Sequence, residues 1–488
     1  MPFEFIDNNT AIDSMARRRI RTHAATGKNT NRTVSRPSKA VALKGNAAIP
    51  FQVPEAIKKL RRDSKVNAEV ERPVTDGLRF PISVPARSRG LVRQALFFFS
   101  GVRYNPELEG ALESPDHMGS VWVRYLFLDE AYFHCSVATS ILCSKNLVCE
   151  TAQGMYHIAR TYRLVQERLM SEEEATSDMT IAILVVMSQY ERLQGQYARG
   201  YIHVRGLRRM VELRGGIKQF DGECCGVIQK VLRADLEYAL QLGSRTLFGS
   251  EGIEFLRLCK GLCIDDGKRG ELVANPEVDL FLREGLRASL WTAFSDTRSL
   301  AGLLNDAGAG YRQKLSAEEF HNTIMLLGYC LLHISPLDVS SEPDACFKLG
   351  MSPHEEAIHL GLIAFLVTFL RGLDHRIADK PLLSHRLRLA IEKLLSSVEG
   401  GEVSKIIKRV LIWTLFVGAV VVFKPSDDEW LIPTTNTAMN TLGLSSWKDV
   451  KQALAGFPWV DAVHDRTGIV LCTAQKFLGF STQPYRLP

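Results

Sequence analysis

Met179–Met187 reads MTIAILVVM, nine residues in which Thr180 alone carries a polar side-chain group. A stretch that is apolar nearly all round has no face to offer water, so it is neither a surface helix nor a half-buried strand. It reads as a helix at the centre of a core. Its surroundings agree. Downstream, GLRRMVELRGG at Gly206–Gly216 places Val204, Leu207, Met210, Val211 and Leu213 on an expected buried stripe, with Arg205, Arg208, Arg209 and Glu212 on a polar face. Arg208 and Glu212 stand at i,i+4, where opposite charges meet on a helix. Gly215 supplies the left-handed position that closes such a helix, and Arg214 suits the negative end of its dipole.

The same period extends in both directions. Apolar residues recur at three- and four-residue steps over about 91–99, 120–143, 151–170, 178–194, 198–214, 225–243, 277–294, 317–333, 353–371, 383–397, 403–423 and 447–455. Turn signals such as Pro115-Asp116, Gly215-Gly216, Gly400-Gly401 and Pro425-Ser426 separate several of them, and sustained strand alternation is scarce. These features predict an all-α domain of about a dozen helices over 91–488. No short-period solenoid repeat is present. The run VLIWTLFVGAVVVF, Val410–Phe423, is too short for a membrane span of about 20 residues and reads as another buried core helix.

Residues 1–90 differ in kind. Pro37, Pro50, Pro54, Pro73, Pro81 and Pro85 interrupt any long element, and a polar, basic composition favours a largely disordered arm. One short helix is expected after Asn9 and Thr10, with Ile12, Met15, Ala16 and Ile20 at helical spacing and Gly27 at its end. The charge is uneven as well. Residues 1–72 hold 15 Lys/Arg against 7 Asp/Glu, whereas the rest of the 488-residue chain holds 45 against 47. The whole surplus of a chain of net charge +6 therefore lies in the arm. Such a footprint suits the DNA phosphate backbone or a nuclear import receptor. Arg17, Arg18, Arg19, Arg21, Lys28, Arg32, Arg36 and Lys39 are the candidate contact residues. They would supply salt-sensitive affinity without base readout.

Motifs for catalysis and metal binding do not assemble. The ten cysteines all lie at or beyond Cys135, in no disulfide framework, and the N-terminus MPFEFIDNNT has no secretory pattern, so reduced thiols in the cytosol or nucleus are expected. Cys259 and Cys263 stand at i,i+4 and His134 adjoins Cys135, but no second pair completes a zinc site; Cys224-Cys225 fares no better. GLCIDDGK at Gly261–Lys268 has the wrong spacing for a phosphate loop, and Arg269 replaces the hydroxyl that would hold magnesium. GAGY at Gly308 lacks a third glycine, and no G-x-S-x-G is present. His464-Asp465-Arg466 matches the middle of a kinase catalytic loop without the other kinase parts. The acidic run Glu172–Glu174 suits a helix start. No cofactor, metal or catalytic residue is expected.

Several blocks carry a resemblance. FEFIDNN (Phe3–Asn9), RRRIRTHAATGKN (Arg17–Asn29) and RPSK (Arg36–Lys39) resemble the N-terminal block of filamentous-fungal transcription-factor-like proteins. LFLDEAYFHCSVATS (Leu126–Ser140), HVRGLRRMVELRGG (His203–Gly216) and LIWTLFVGA (Leu411–Ala419) resemble landmarks of the helical regulatory domain of fungal zinc-cluster regulators. The resemblance implies a nuclear transcription regulator whose helical domain senses inducers, forms homodimers or recruits protein partners. Relatives often carry a six-cysteine zinc cluster that places a helix in the major groove. This chain has no cysteine before Cys135, so none of those ligands can be assigned here. The expected function is therefore transcription regulation with DNA contact through the arm or a partner. The alternative is a helical scaffold or co-regulator that does not bind DNA.

Overall fold

A computed structural model describes residues 80–82, 90, 92, 95, 106–114, 121–143, 151–220, 225–259, 261–262, 276–338, 350–371, 379–399 and 404–478. All of them belong to the unit Val74–Pro488. Residues 1–79, with the expected short helix and all eight candidate contact residues, lie outside them.

The described chain is all-α, as the periodicity predicts. It opens with α1 (Val121–Leu128), α2 (Glu130–Cys143), α3 (Thr151–Arg168), the one-turn α4 (Glu172–Ala175), α5 (Asp178–Leu193), α6 (Tyr197–Leu213) and α7 (Cys225–Leu242). It continues through α8 (Gly249–Leu258), α9 (Pro276–Gly285), α10 (Ala288–Gly308), α11 (Ala317–Ile334), α12 (Pro353–Val367) and α13 (Pro381–Glu399). It closes with α14 (Lys405–Val421), α15 (Asp428–Asn440), α16 (Trp447–Leu454) and α17 (Asp461–Leu478). Among the described residues, one parallel bridge joins Leu112 and Leu315.

The number of helices exceeds the expected dozen for reasons that can be assigned. The span 120–143 breaks at Asp129, whose carboxylate accepts from the backbone N–H of Tyr132 (2.9 Å) and so caps α2. The span 277–294 breaks before Arg287, where Glu355 of α12 accepts from the Arg287 backbone N–H (3.0 Å) at the start of α10. That cap comes from a residue 68 positions away, so local sequence does not reveal it. Helices α8, α15 and α17 were not anticipated. Pro433 sits inside α15, and a proline there argues locally against a helix. Only Val92 and Ala95 of the expected 91–99 element are described, and they are helical, as is Gly90 just before it.

Two helices form the centres of the core. MTIAILVVM occupies α5, where every residue from Thr180 to Ser188 is buried. Ser177 caps it by accepting from the Thr180 N–H. Helix α5 packs against α2, α6 and α7. In the later half, α12 and α14 are buried on nearly all sides and pack against each other and against α13. Their close approach depends on Gly361: an added Cβ would stand 2.6 Å from the Trp413 ring. Trp413 is fully buried, donates its ring N–H to the Pro458 carbonyl (2.9 Å), and packs against Phe294 and Phe457. Residues from Leu108 to Cys472 join one continuous hydrophobic cluster. The Val410–Phe423 run is thus core, and no helix among the described residues is long and apolar enough to cross a membrane.

Candidate functional site

The polar face of α6 carries Arg205, Arg208, Arg209 and Glu212. Arg208 donates from Nε to Glu212 (2.8 Å) and from a terminal nitrogen to Glu251 of α8 (2.6 Å), with its guanidinium 4.7 Å from the Phe248 ring centroid. Arg209 reaches Glu212 at 3.4 Å, and Arg214 pairs with Asp178 and lies over Phe220. These cations already have acidic partners in the body, so the face fixes α6 to α5 and α8. Gly215 and Gly216 have φ of +99° and +95°, the left-handed turn expected after this helix. Leu213 departs from the expected buried stripe. It is 45% exposed, because it lies two residues beyond Val211 and so about 200° around the helix.

The motifs weighed for chemistry also resolve into packing. His464 is fully buried among Phe365 and Trp459, and burial lowers its pKa to about 4. Asp465 accepts from Lys451 (3.0 Å) and from the Trp459 ring N–H (2.7 Å). Glu172–Glu174 form α4, with Ser171 accepting from the Glu174 N–H. Cys135 is buried and its thiol is pushed up strongly by burial, so it is a packing group rather than a nucleophile. Cys135 and Cys330 are free thiols. His134, beside Cys135, shares a 2.7 Å Nδ1–Nδ1 hydrogen bond with His157. That bond needs one protonated and one bare nitrogen. Burial depresses both rings, His157 to about 4, and so keeps the pair neutral. Among the described residues, no group of three or more His, Cys, Asp or Glu is placed to hold a metal ion.

What the sequence reading missed lies on α7. Asp235 and Glu237 are both buried, two residues apart and so on opposite sides of the helix. Asp235 accepts from the backbone N–H of Leu247 (2.8 Å) and Phe248 (3.1 Å), just before α8, and from the Tyr329 hydroxyl (2.8 Å). It therefore anchors the start of α8 to α7 and α11. Burial raises its pKa to about 6, and its neutral donors offset that only in part.

Glu237 faces α5 and the start of α13. Its Oε1 accepts from Arg233 Nε (2.9 Å), and its Oε2 accepts from Gln189 Nε2 (3.1 Å) and stands 3.5 Å from a terminal nitrogen of Arg192. Lys380 donates to the Gln241 side chain (3.0 Å) and approaches the Glu237 backbone carbonyl (3.5 Å). Burial alone would raise the Glu237 pKa. Arg192, Arg233 and Lys380 reverse that and hold it at about 2. Arg233 also donates to the Arg371 carbonyl (2.9 Å), tying α7 to the segment after α12. A signal was present in the sequence: Arg233-Ala-Asp-Leu-Glu237 puts three charged residues within five positions of a helix, and Glu191-Arg192 lies near the end of the helix that holds MTIAILVVM.

The described residues thus form an all-helical body whose polar interior serves mainly to join helices, with a cation-rich cluster beside Glu237. A family model described as the fungal specific transcription factor domain matches residues 112–454, well over half of the chain. The chain belongs to that family, a class of transcription-regulator domains and not a class of enzymes. Neither a curated protein nor a solved structure gives a significant match.

Proposed function

We propose that the chain acts in the nucleus as a transcription regulator whose basic arm holds the DNA phosphate backbone, alone or beside a DNA-reading partner. The observation that carries this reading is the joint occurrence of the family match over 112–454 and a surplus of positive charge confined to residues 1–72. Arg17, Arg18, Arg19 and Arg21 are the densest part of that charge, and the same run suits an import receptor. The helical body then supplies regulation rather than base readout.

Fluorescence anisotropy of the full chain with two unrelated duplexes tests the DNA half of the proposal. The wild type is expected to bind both alike and to weaken steeply with salt, as counterion release requires. Replacing Arg17, Arg18, Arg19 and Arg21 together by alanine removes four phosphate contacts, so affinity drops by about tenfold or more and the salt slope flattens. Equal affinity for the wild type and the quadruple variant overturns arm contact. No binding by either leaves the scaffold or co-regulator as the better description. Imaging of a fluorescent fusion checks the nuclear half: the wild type accumulates in nuclei and the quadruple variant does not.

A further inference from the structure

We infer that the cluster around Glu237 is a binding site for a small oxyanion, one that bears a phosphate or carboxylate group and is held by Arg192 and Lys380. Arg192 and Arg233 converge on the Glu237 carboxylate, and Lys380, at the Glu237 backbone carbonyl, adds a third positive charge nearby. Arg233 takes the good geometry, 2.9 Å from Oε1, and neutralises it. Arg192 is left with a neutral acceptor, Gln189 Oε1 (2.9 Å), and a carboxylate oxygen at 3.5 Å, beyond an ordinary N–H···O bond. Among the described residues, Lys380 donates to the neutral Gln241 amide and approaches a backbone carbonyl. The next carboxylate along α5, Glu191, turns the other way, toward the Tyr162 hydroxyl (2.5 Å) and Arg199 (3.9 Å). Asp379, adjoining Lys380, pairs with Lys424 at 2.8 Å.

Burying cations without counter-charge is costly, so surplus positive charge at a sheltered position marks a place where an anion is welcome. The side chain of Arg192 is 6% exposed, whereas Lys380 is half-buried, so the cluster is sheltered but open along the lysine. Lys380 also directly precedes Pro381, the first residue of α13, a 19-residue helix with no acidic residue in its first turn. That end of the helix adds partial positive charge to the same spot. Burial and the Arg192 charge lower the Lys380 pKa to about 7, while Glu237 opposes them. An incoming anion therefore draws a proton onto the lysine. Binding is coupled to proton uptake and weakens as pH rises above 7.

Thermal denaturation of the full chain tests the site, with sulfate, inorganic phosphate and succinate as probes and sodium chloride at matched ionic strength as the reference. Sulfate does not titrate near neutrality, so it isolates the protein's proton. The expected result is a saturable rise in Tm of about 1–3 °C over chloride. The apparent affinity for sulfate should fall by about tenfold per pH unit above 7. The phosphate and succinate arms show which head group is preferred. Sulfate also stabilises proteins generally through exclusion from their surfaces, and that part survives in every variant. Lys380→Met should lose the saturable part, and Lys393→Met, an exposed lysine paired with Glu356 (3.1 Å), should keep it. Because Lys380 is disfavoured as a buried cation, its replacement is not expected to unfold the chain. A wild type that responds to the three anions no more than to chloride, or a Lys380→Met variant with the full saturable shift, overturns the inference.

Discussion

Asp235 looks toward α8 and α11 and meets three neutral donors, whereas Glu237, two residues on, looks toward α5 and α13 and meets guanidinium groups. Both are acids on one helix at nearly equal burial. Burial pushes the pKa of each upward, and only at Glu237 is there enough opposite charge to win, so one acid moves to about 6 and the other to about 2. The difference shows that depth alone does not decide what a buried carboxylate does. Charged neighbours make Glu237 a counter-ion for the fold, while neutral donors make Asp235 a cap that is strained by its own charge at neutral pH.

The sharpest way to break the comparison is Glu237→Gln. It leaves Arg192, Arg233 and Lys380 without their shared carboxylate, and one-sided removal of a buried ion pair costs about 3–5 kcal/mol. Chemical denaturation should show that loss; a cost under about 1 kcal/mol would mean the cations are not held by Glu237. Asp235→Asn is expected to cost less at pH 7, about 1–2 kcal/mol, because the amide keeps one acceptor for the three donors.

The two sites also separate by pH. A carboxyl raised from 3.8 to about 6 contributes stability that is complete at low pH and is lost as pH rises through about 6. A carboxyl lowered from 4.5 to about 2 contributes stability that is present above pH 4.5 and is lost as pH falls toward 2. Each window amounts to about 3 kcal/mol at most. The stability gap between the wild type and Asp235→Asn should therefore widen as pH falls from about 6 to about 4. A constant gap across that range would show that Asp235 does not titrate there. The smallest effect is expected at the partly exposed Glu251, which accepts from Arg208 and from the Ile217 N–H. Glu251→Gln should lower stability by about 1 kcal/mol or less, because solvent screens the pair.

How much of this was legible from the sequence differs by element. Helix α5 was plain because no face of MTIAILVVM tolerates water, and α6 because its stripe, i,i+4 pair and closing Gly215 agree with one another. The break before α10 was not, because its cap is Glu355 from another helix. Helix α15 was hidden by Pro433, and α17 by Gly468 and the charged HDR run at its centre. At Glu237 the sequence showed charges set among apolar residues but not that they meet, because Arg192, Glu237 and Lys380 are far apart along the chain.

By itself, then, the sequence determined that the body is helical, that α5 and α14 are buried core helices, and that the surplus positive charge stands apart in residues 1–72. These are properties of composition and of a 3.6-residue period, both of which are local. Tertiary structure alone decided which charges meet. Arg208, read locally as one half of a surface pair, became a tie to Glu251 across helices, and Arg192 and Lys380 came to share a sheltered corner with a single carboxylate. The physical reason is that a buried charge's effect depends on the groups packed within a few ångströms of it. Those groups come from helices that the chain brings together only when it folds.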